Sequence, residues 1–365
     1  MTPSEFVILI PSLQPDERLP AYIRALMEKG FSQVVVVDDG SSQDRQHFFE
    51  EMAAIEGCHV LHHEVNQGKG IALKTGYRWI LDNMPQCAGV ITADADGQHT
   101  VPDCWRLAET MCAGGRALYL GSRDFTQEDV PPRSRFGNKT TSSVFKLLYG
   151  VWLPDTQTGL RGFLKEDLPF MLEVEGARYE YEMQVLIACA RAKLPMIPMT
   201  IKTVYENNNE GSHFHPVRDS IRIYKVILGG FLKFMGSSIL CFLLDNILFS
   251  LLNVLFFPKV LPGMPLWSEF FSTVCARLVS APCNFLLNKN FVFKFKGSAL
   301  KTGLRYALLC LVIMFISGVV VAQVVQWLHL GKVLAAIVKI AVDTVLYFLS
   351  YRVQETWVFA KEESK

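Results

Sequence analysis

Charge is scarce in this 365-residue chain: 19% of its residues are Asp, Glu, Lys or Arg, 50% are apolar, and mean hydropathy is +0.23. That excludes a disordered polymer, which needs the reverse balance. No CxxC pair occurs among the nine cysteines, which are Cys58, Cys87, Cys104, Cys112, Cys189, Cys241, Cys275, Cys283 and Cys310. Scattered and odd in number, they exclude a secreted disulfide scaffold, give a zinc site no support and fit reduced, mostly buried thiols. No Lys or Arg precedes the first apolar run, residues 6–10, which has Glu5 in front of it. A secretory signal is therefore not expected, and the first part of the chain is expected in the cytosol. Nor does a basic excess mark the soluble-looking part, which excludes a typical nucleic-acid binder.

The net charge of +1 conceals two unlike parts. From Val226 to the end the chain carries 13 Lys/Arg against 6 Asp/Glu, whereas residues 1–225 carry 23 against 29. An acidic first part is joined to a basic, apolar second part. In the first, residues 6–10, 34–37, 60–62, 90–92 and 117–120 read as buried strands. Residues 18–29, 44–55, 69–83 and 103–113 read as helices between them. Such alternation predicts an α/β domain with a largely parallel sheet, whose ligands bind beyond the carboxyl ends of the strands.

The character changes at residue 217. Residues 217–234 set Ile221, Ile223, Tyr224, Ile227 and Leu228 among Arg218, Arg222, Lys225 and Lys233, the pattern of a basic helix lying on a membrane surface. Residues 234–257, 268–287, 304–328 and 333–349 each approach the roughly 20 residues that cross a bilayer as a helix. The second of these contains Arg277, and the fourth Lys339 and Asp343. Between spans two and three lie Lys289, Lys294, Lys296, Lys301 and Arg305, so the positive-inside rule predicts that this loop and both termini are cytoplasmic. The expected organisation is a cytosolic domain over 1–216, an interfacial helix over 217–233 and an all-α domain of four transmembrane helices over 234–360. Asn288-Lys-Asn-Phe-Val-Phe293 also echoes Gln354-Glu-Thr-Trp-Val-Phe359, which suggests a duplicated helical hairpin.

Candidate chemistry follows the strands. Asp38-Asp39-Gly40-Ser41-Ser42 ends the second strand, where carboxylates accept hydrogen bonds from a ribose or base, or simply cap the next helix. Ala93-Asp94-Ala95-Asp96-Gly97-Gln98-His99 ends the fourth. Two carboxylates two residues apart on an extended segment face one side and suit a hard divalent cation, Mg²⁺ or Mn²⁺, shared with substrate phosphates; a plain polar loop is the alternative. Asn66-Gln-Gly-Lys-Gly70 and Lys74 offer close backbone approach and positive charge, or only a helix start with solvated lysines. Arg123, Arg133 and Arg135 flank a Pro-rich stretch, Val130-Pro-Pro-Arg-Ser, and suit bidentate phosphate recognition from a loop, or decorate a surface. Asp155-Thr-Gln-Thr-Gly159 and Tyr179-Glu-Tyr-Glu182 either line an acceptor pocket or turn and cap.

In that order, with Pro11 before them and Gly121-Ser-Arg123 among them, these motifs resemble the family 2 glycosyltransferases. Within that family the similarity is to the dolichyl-phosphate mannose synthase and polyprenyl-phosphate glycosyltransferase branch, over about residues 4–215. The remainder resembles the four-helix GtrA-like membrane family. The resemblance implies an α/β GT-A fold and inverting transfer from a UDP- or GDP-linked sugar to a polyprenyl phosphate such as undecaprenyl phosphate. It implies that Asp94 and Asp96 hold the metal, assisted by Gln98. Pro11, Glu17, Val37, Asp39 and Ala95 would surround the nucleoside, and Arg123 and Arg135 would face the donor diphosphate and the acceptor phosphate. Asp96, Arg123 and Arg135 are then the catalytic candidates. Two departures leave the donor open: Leu13 stands where relatives often carry tyrosine, and His213 of Glu210-Gly-Ser-His213 replaces a phosphate-binding lysine.

A lipid phosphate is already ionised, so no dedicated base is required of the protein. The expected partners are therefore a nucleotide sugar, a polyprenyl phosphate and membrane lipid at the inner membrane of a cell, without nucleic acid, and a homo-oligomer is compatible with the chain. Two other readings stay open. Arg277, Lys339 and Asp343 lie inside spans, where ionisable groups mark a function or a pairing, so the membrane half either flips the lipid-linked sugar or anchors the enzyme. A binding scaffold without catalysis is the third, disfavoured by intact Asp94, Asp96 and Arg123.

Overall fold

The computed structural model describes residues 1–126, 130, 132–202, 216–256, 260, 264–329 and 332–360. The chain divides into two compact units, Met1–Ile227 and Leu228–Lys365. The first unit contains β1 (Phe6–Ser12), β2 (Gln33–Asp38), β3 (Cys58–His62), β4 (Gly89–Thr92), β5 (Leu118–Arg123), β6 (Arg161–Leu164) and β7 (Met196–Ile201). Its helices are α1 (Arg18–Lys29), α2 (Gln46–Ala53), α3 (Lys69–Asn83), α4 (Val101–Ala113), α5 (Pro132–Tyr149), α6 (Leu168–Glu173) and α7 (Glu180–Ala192). The strands form one seven-stranded sheet in the order β3-β2-β1-β4-β6-β5-β7. All run parallel except β6, which lies antiparallel between β4 and β5.

Helices cover both faces of the sheet, which is why its central strands are continuous apolar runs. Phe6, Ile8, Ile10, Val34 and Val36 pack in one core with Leu19, Ile23 and Leu26 of α1 and Leu107 and Met111 of α4. Val7, Leu9, Val35 and Val37 point the other way and are equally buried, Leu9 against Gly76 of α3. All nine cysteines are free, and burial pushes the thiols of Cys58, Cys104 and Cys189 up to about 12, which keeps them inert at neutral pH.

Two strands lack a strand signature in the sequence, and one expected loop is a helix. β6 is four residues long and includes Arg161 and Gly162; β7 is a largely exposed edge carrying Pro198, which an edge strand tolerates. The Pro-rich stretch expected as a loop opens α5, because Pro132 at the first helical position is preset for a helix and lacks only an N–H that would go unbonded there. Arg135 therefore sits on a helix.

The second unit is built from helices. α8 (Pro216–Leu251) runs without a break through the residues read as a surface helix and a first span, and ends in a π-helical turn, Leu252–Phe256. α9 (Pro265–Leu287), α10 (Ala299–Trp327) and α11 (Lys332–Val353) follow. Four segments, Ile221–Phe256, Trp267–Val292, Ala299–Trp327 and Val333–Val358, are long and apolar enough to cross a membrane. α10 and α11 extend past Lys301, Arg305 and Arg352, which interrupt the apolar runs in sequence; Arg305 donates to Trp357 O at 3.2 Å and Arg352 pairs with Glu355 at 3.0 Å. Arg277, Lys339 and Asp343, the ionisable residues singled out within the spans, are paired. Arg277 lies 3.5 Å from Asp245, which also accepts from Ser280 at 2.7 Å. Lys339 lies 2.8 Å from Asp343, which accepts from Ser317 at 2.5 Å.

The two echoed segments meet. Asn288 and Gln354, the first residue of each, open π-helical turns, and the Asn288 amide donates to Gln354 Oε1 at 3.1 Å. Ser237 of α8 donates to Asn288 Oδ1 at 2.7 Å. Phe293 and Phe359, the last residue of each, stack at 5.0 Å. Asn288 and Gln354 are buried among apolar side chains, so each needs the other's hydrogen bond. In a double-mutant cycle, Asn288→Ala and Gln354→Ala should each lower the thermal midpoint of the full chain in detergent. Their interaction should be about 0.5–2 kcal/mol. Strictly additive losses would show that this bond contributes nothing.

Candidate active site

The register places Ser12 beside Asp38 and Leu9 beside Thr92, so the carboxyl ends of β2, β1 and β4 lie side by side. The two acidic motifs, far apart in sequence, thus open onto one rim of the sheet.

At the end of β2 both carboxylates are buried and busy. Asp38 accepts from Ser41 N at 2.8 Å and Gln46 Nε2 at 3.0 Å, with His62 Nδ1 at 3.1 Å. Burial works against its charge, but the donors from Ser41, Gln46 and His62 prevail and hold its carboxyl below the usual range. Asp39 accepts from the backbone of Gln67 at 2.9 Å and of Gly68 at 2.7 Å, which fixes the turn leading into α3. His63, which carries no signal in sequence beyond being one histidine among eight, bridges Asp39 at 2.9 Å and Thr75 at 2.9 Å. Gly40, at φ 79°, lets this happen: a Cβ there would overlap the backbone of Val65 and Asn66.

At the end of β4, Asp94 accepts from Lys69 Nζ at 2.6 Å on one oxygen and lies 3.1 Å from His99 Nε2 on the other. Lys69, from the first turn of α3, also lies 2.9 Å from Glu182 of α7. Burial opposes the charge of both Asp94 and Lys69. Lys69 and His99 nevertheless hold the Asp94 carboxyl well below the carboxylate range, and Asp94 and Glu182 keep Lys69 protonated above its usual range. Asp96 is pushed the opposite way, upward, by burial and then by the charge of Asp94. It accepts from Gln98 N at 3.0 Å.

The far wall comes from the loop before β6. Asp155, fully buried, accepts from Arg123 Nε at 2.7 Å and Nη2 at 3.2 Å, so the guanidinium at the end of β5 is held in a fork. Thr92 donates to Gly159 O at 2.8 Å, and a Cβ on Gly159 would overlap the Asp94 carboxylate. The loop can thus lie against Asp94 only because residue 159 has no side chain.

The remaining expected residues distribute around this rim. Pro11 pairs with Val37 across β1 and β2. Val37 is fully buried, so only its backbone can reach a ligand. Ala95 and Gln98 are half-buried beside the acidic pair, Glu17 is exposed just before α1, and Arg135 is exposed on the first turn of α5. His213 and the side chain of Arg133 lie outside the described residues. Glu180, read as pocket wall or as turn and cap, holds the turn before α7: it accepts from the backbone of Ala177 and Arg178 at 3.2 Å.

Among the described residues no three His, Cys, Asp or Glu side chains converge as a closed metal cage. What is present is an open set of oxygen donors, Asp94, Asp96 and Gln98, in which the Asp96 carboxyl is raised by burial and then by its neighbour's charge. A divalent cation between them would relieve that repulsion, so the donor set fits Mg²⁺ or Mn²⁺ completed by phosphate oxygens.

A family profile described as glycosyl transferase family 2 matches residues 7–169, and one described as the GtrA/DPMS transmembrane domain matches residues 233–359. An uncharacterized protein of Methanocaldococcus jannaschii is 30% identical over 205 residues, which is 55% of this chain and 82% of that protein. The UDP-N-acetylglucosamine–dolichyl-phosphate N-acetylglucosaminyltransferase of Methanococcus voltae is 26% identical over 215 residues, 54% of this chain and 85% of its own. The undecaprenyl-phosphate mannosyltransferase of Micrococcus luteus is 27% identical over 201 residues, 53% and 81% of the two chains. The first unit has a GT-A fold and is joined to a membrane domain. The chain belongs to glycosyl transferase family 2 and is a membrane-bound glycosyltransferase with a GtrA/DPMS transmembrane domain.

Asp38 supplies a test of the framework. Its folded-state carboxyl is held below the usual value, so the unfolded chain takes up that proton first as pH falls. Its stabilisation should be complete above about pH 4 and drain away below it. Asp38→Asn should lower the thermal midpoint at pH 7 and flatten the acid limb of the stability profile; an unchanged acid limb would contradict this assignment.

Proposed function

We propose that this enzyme transfers a sugar, with inversion, from a UDP- or GDP-linked donor to a polyprenyl phosphate at the cytosolic face of the inner membrane. The observation that carries the reading is the meeting of Asp94, Asp96 and Lys69 with the Asp155-held Arg123 around one strand-end rim, in a chain that also carries four membrane-length helices. Both named relatives above act, by their names, on lipid phosphates, one with N-acetylglucosamine and one with mannose, so they support the acceptor class and leave the sugar open.

The acceptor phosphate is ionised at neutral pH and attacks the anomeric carbon directly, so no side chain has to remove a proton. The protein's tasks are to place that oxygen in line with the departing diphosphate and to offset the charge that grows on it. Arg123, fixed in plane by Asp155, and Arg135 on α5 are the cations for the two phosphates. Pro11, the Val37 backbone, Asp39 and Ala95 form the nucleoside wall, with Asp39 also anchoring the turn into α3. Asp94, Asp96 and Gln98 would hold the divalent cation, which when bound draws charge from the leaving diphosphate. The basic loop between α9 and α10, with Lys289, Lys294 and Lys296, supports a cytosolic position for that side of the membrane unit, where nucleotide sugars are made.

The test is transfer of label from a panel of nucleotide sugars to undecaprenyl phosphate by purified full-length protein with Mg²⁺ or Mn²⁺, read in the organic phase. One donor should label the lipid, and Asp96→Asn should lower the rate by at least about 100-fold. Binding of a donor without transfer to any polyprenyl phosphate would overturn the acceptor assignment.

A further inference from the structure

Both oxygens of Asp94 are already engaged, one by the Lys69 ammonium at 2.6 Å and the other by His99 at 3.1 Å. A divalent cation arriving at Asp94 meets a like charge at the first oxygen. Lys69 has somewhere to go, since Glu182 Oε1 stands 2.9 Å from the same ammonium, and the Lys69 and Glu182 side chains are only 15% and 13% exposed. His99 does not: its Nδ1 is buried and has no partner among the described residues, so its Nε2 stays with Asp94. The three charged residues come from α3, the loop after β4 and α7, and the Tyr179 ring lies 5.9 Å from the ammonium. Lys69 is thus held between two carboxylates, only one of which the metal needs.

Building on the assignment of Asp94 and Asp96 as metal ligands, we propose that Lys69 is a positioning residue that occupies Asp94 in the metal-free enzyme and withdraws to Glu182 when the metal binds. Its charge keeps the paired carboxylates compatible before metal arrives, and Glu182 sets how readily it leaves. Two near-isosteric substitutions then act in opposite directions. Removing the ammonium leaves Asp94, Asp96 and Glu182 facing one another and strengthens metal binding. Removing the charge of Glu182 leaves Lys69 with Asp94 alone and weakens it.

The experiment is Mn²⁺ binding to the full chain in detergent without nucleotide, followed by electron paramagnetic resonance of the free ion. Lys69→Met should tighten the dissociation constant about tenfold, Glu182→Gln should weaken it several-fold, and Lys69→Arg should restore the wild-type value. Loss of structure alone would weaken binding in both variants. Shifts in the same direction, or none, with wild-type binding intact, would overturn the Lys69 role and leave the metal site standing. No Mn²⁺ binding by wild type, even with UDP or GDP added to complete the site, would overturn both.

Discussion

Asp39 lies almost wholly buried at the end of β2, where its carboxylate oxygens accept from the backbone of Gln67 and Gly68 and lie 2.9 Å from the ring of His63. A carboxylate withdrawn from water must find such donors, and around this sheet each one finds them on another element. Asp39 ties β2 to the start of α3. Asp94 ties β4 to α3, and through Lys69 to α7. Asp155 ties the loop before β6 to the end of β5 through Arg123. Satisfying buried charge and assembling the rim are therefore one physical event, and the rim is rigid for the same reason that it is polar.

That constraint divides the acidic residues into two kinds. Asp38 and Asp39 spend their acceptor capacity on the chain itself and act chiefly as framework. Asp94 and Asp96 remain half-exposed and mutually repelling, with a cation parked on the first and the second raised above its usual range. Only the second kind is placed to hold a cation. The membrane unit solves the corresponding problem in an apolar setting. Among its buried polar groups, Ser237 bonds Asn288 and Asn288 bonds Gln354 across the echoed halves, while Arg277 and Lys339 are each paired with a carboxylate.

Much of the fold was legible because its strands are buried on both faces. β1, β2 and β4 are uninterrupted apolar runs, and a run of that kind between amphipathic helices has few other readings. The membrane helices were legible through length and hydropathy, although their ends run past the charges that bounded them in sequence. β6 and β7 were not. A short strand holding a buried arginine and an exposed edge holding proline carry no periodicity, and they form only because the neighbouring strands offer unpaired backbone. α5 was hidden by Pro132, which starts helices as readily as it ends them.

The residue types at the rim were determined by the sequence alone: two acidic strand ends, a Lys-Gly helix start, an arginine after the fifth strand and four apolar spans. Those follow from local pattern, because strand ends and helix starts declare themselves within a few residues. Which group answers which was decided by the tertiary structure. Lys69 meets Asp94 and Glu182 rather than solvent, Arg123 is gripped by Asp155, and His63 bridges Asp39 to Thr75. Each of these contacts joins elements that chain distance keeps apart, and sequence spacing carries no information about which buried charge will find which donor. Burial does the selecting, since only pairings that satisfy every withdrawn charge at once allow the sheet and its helices to close.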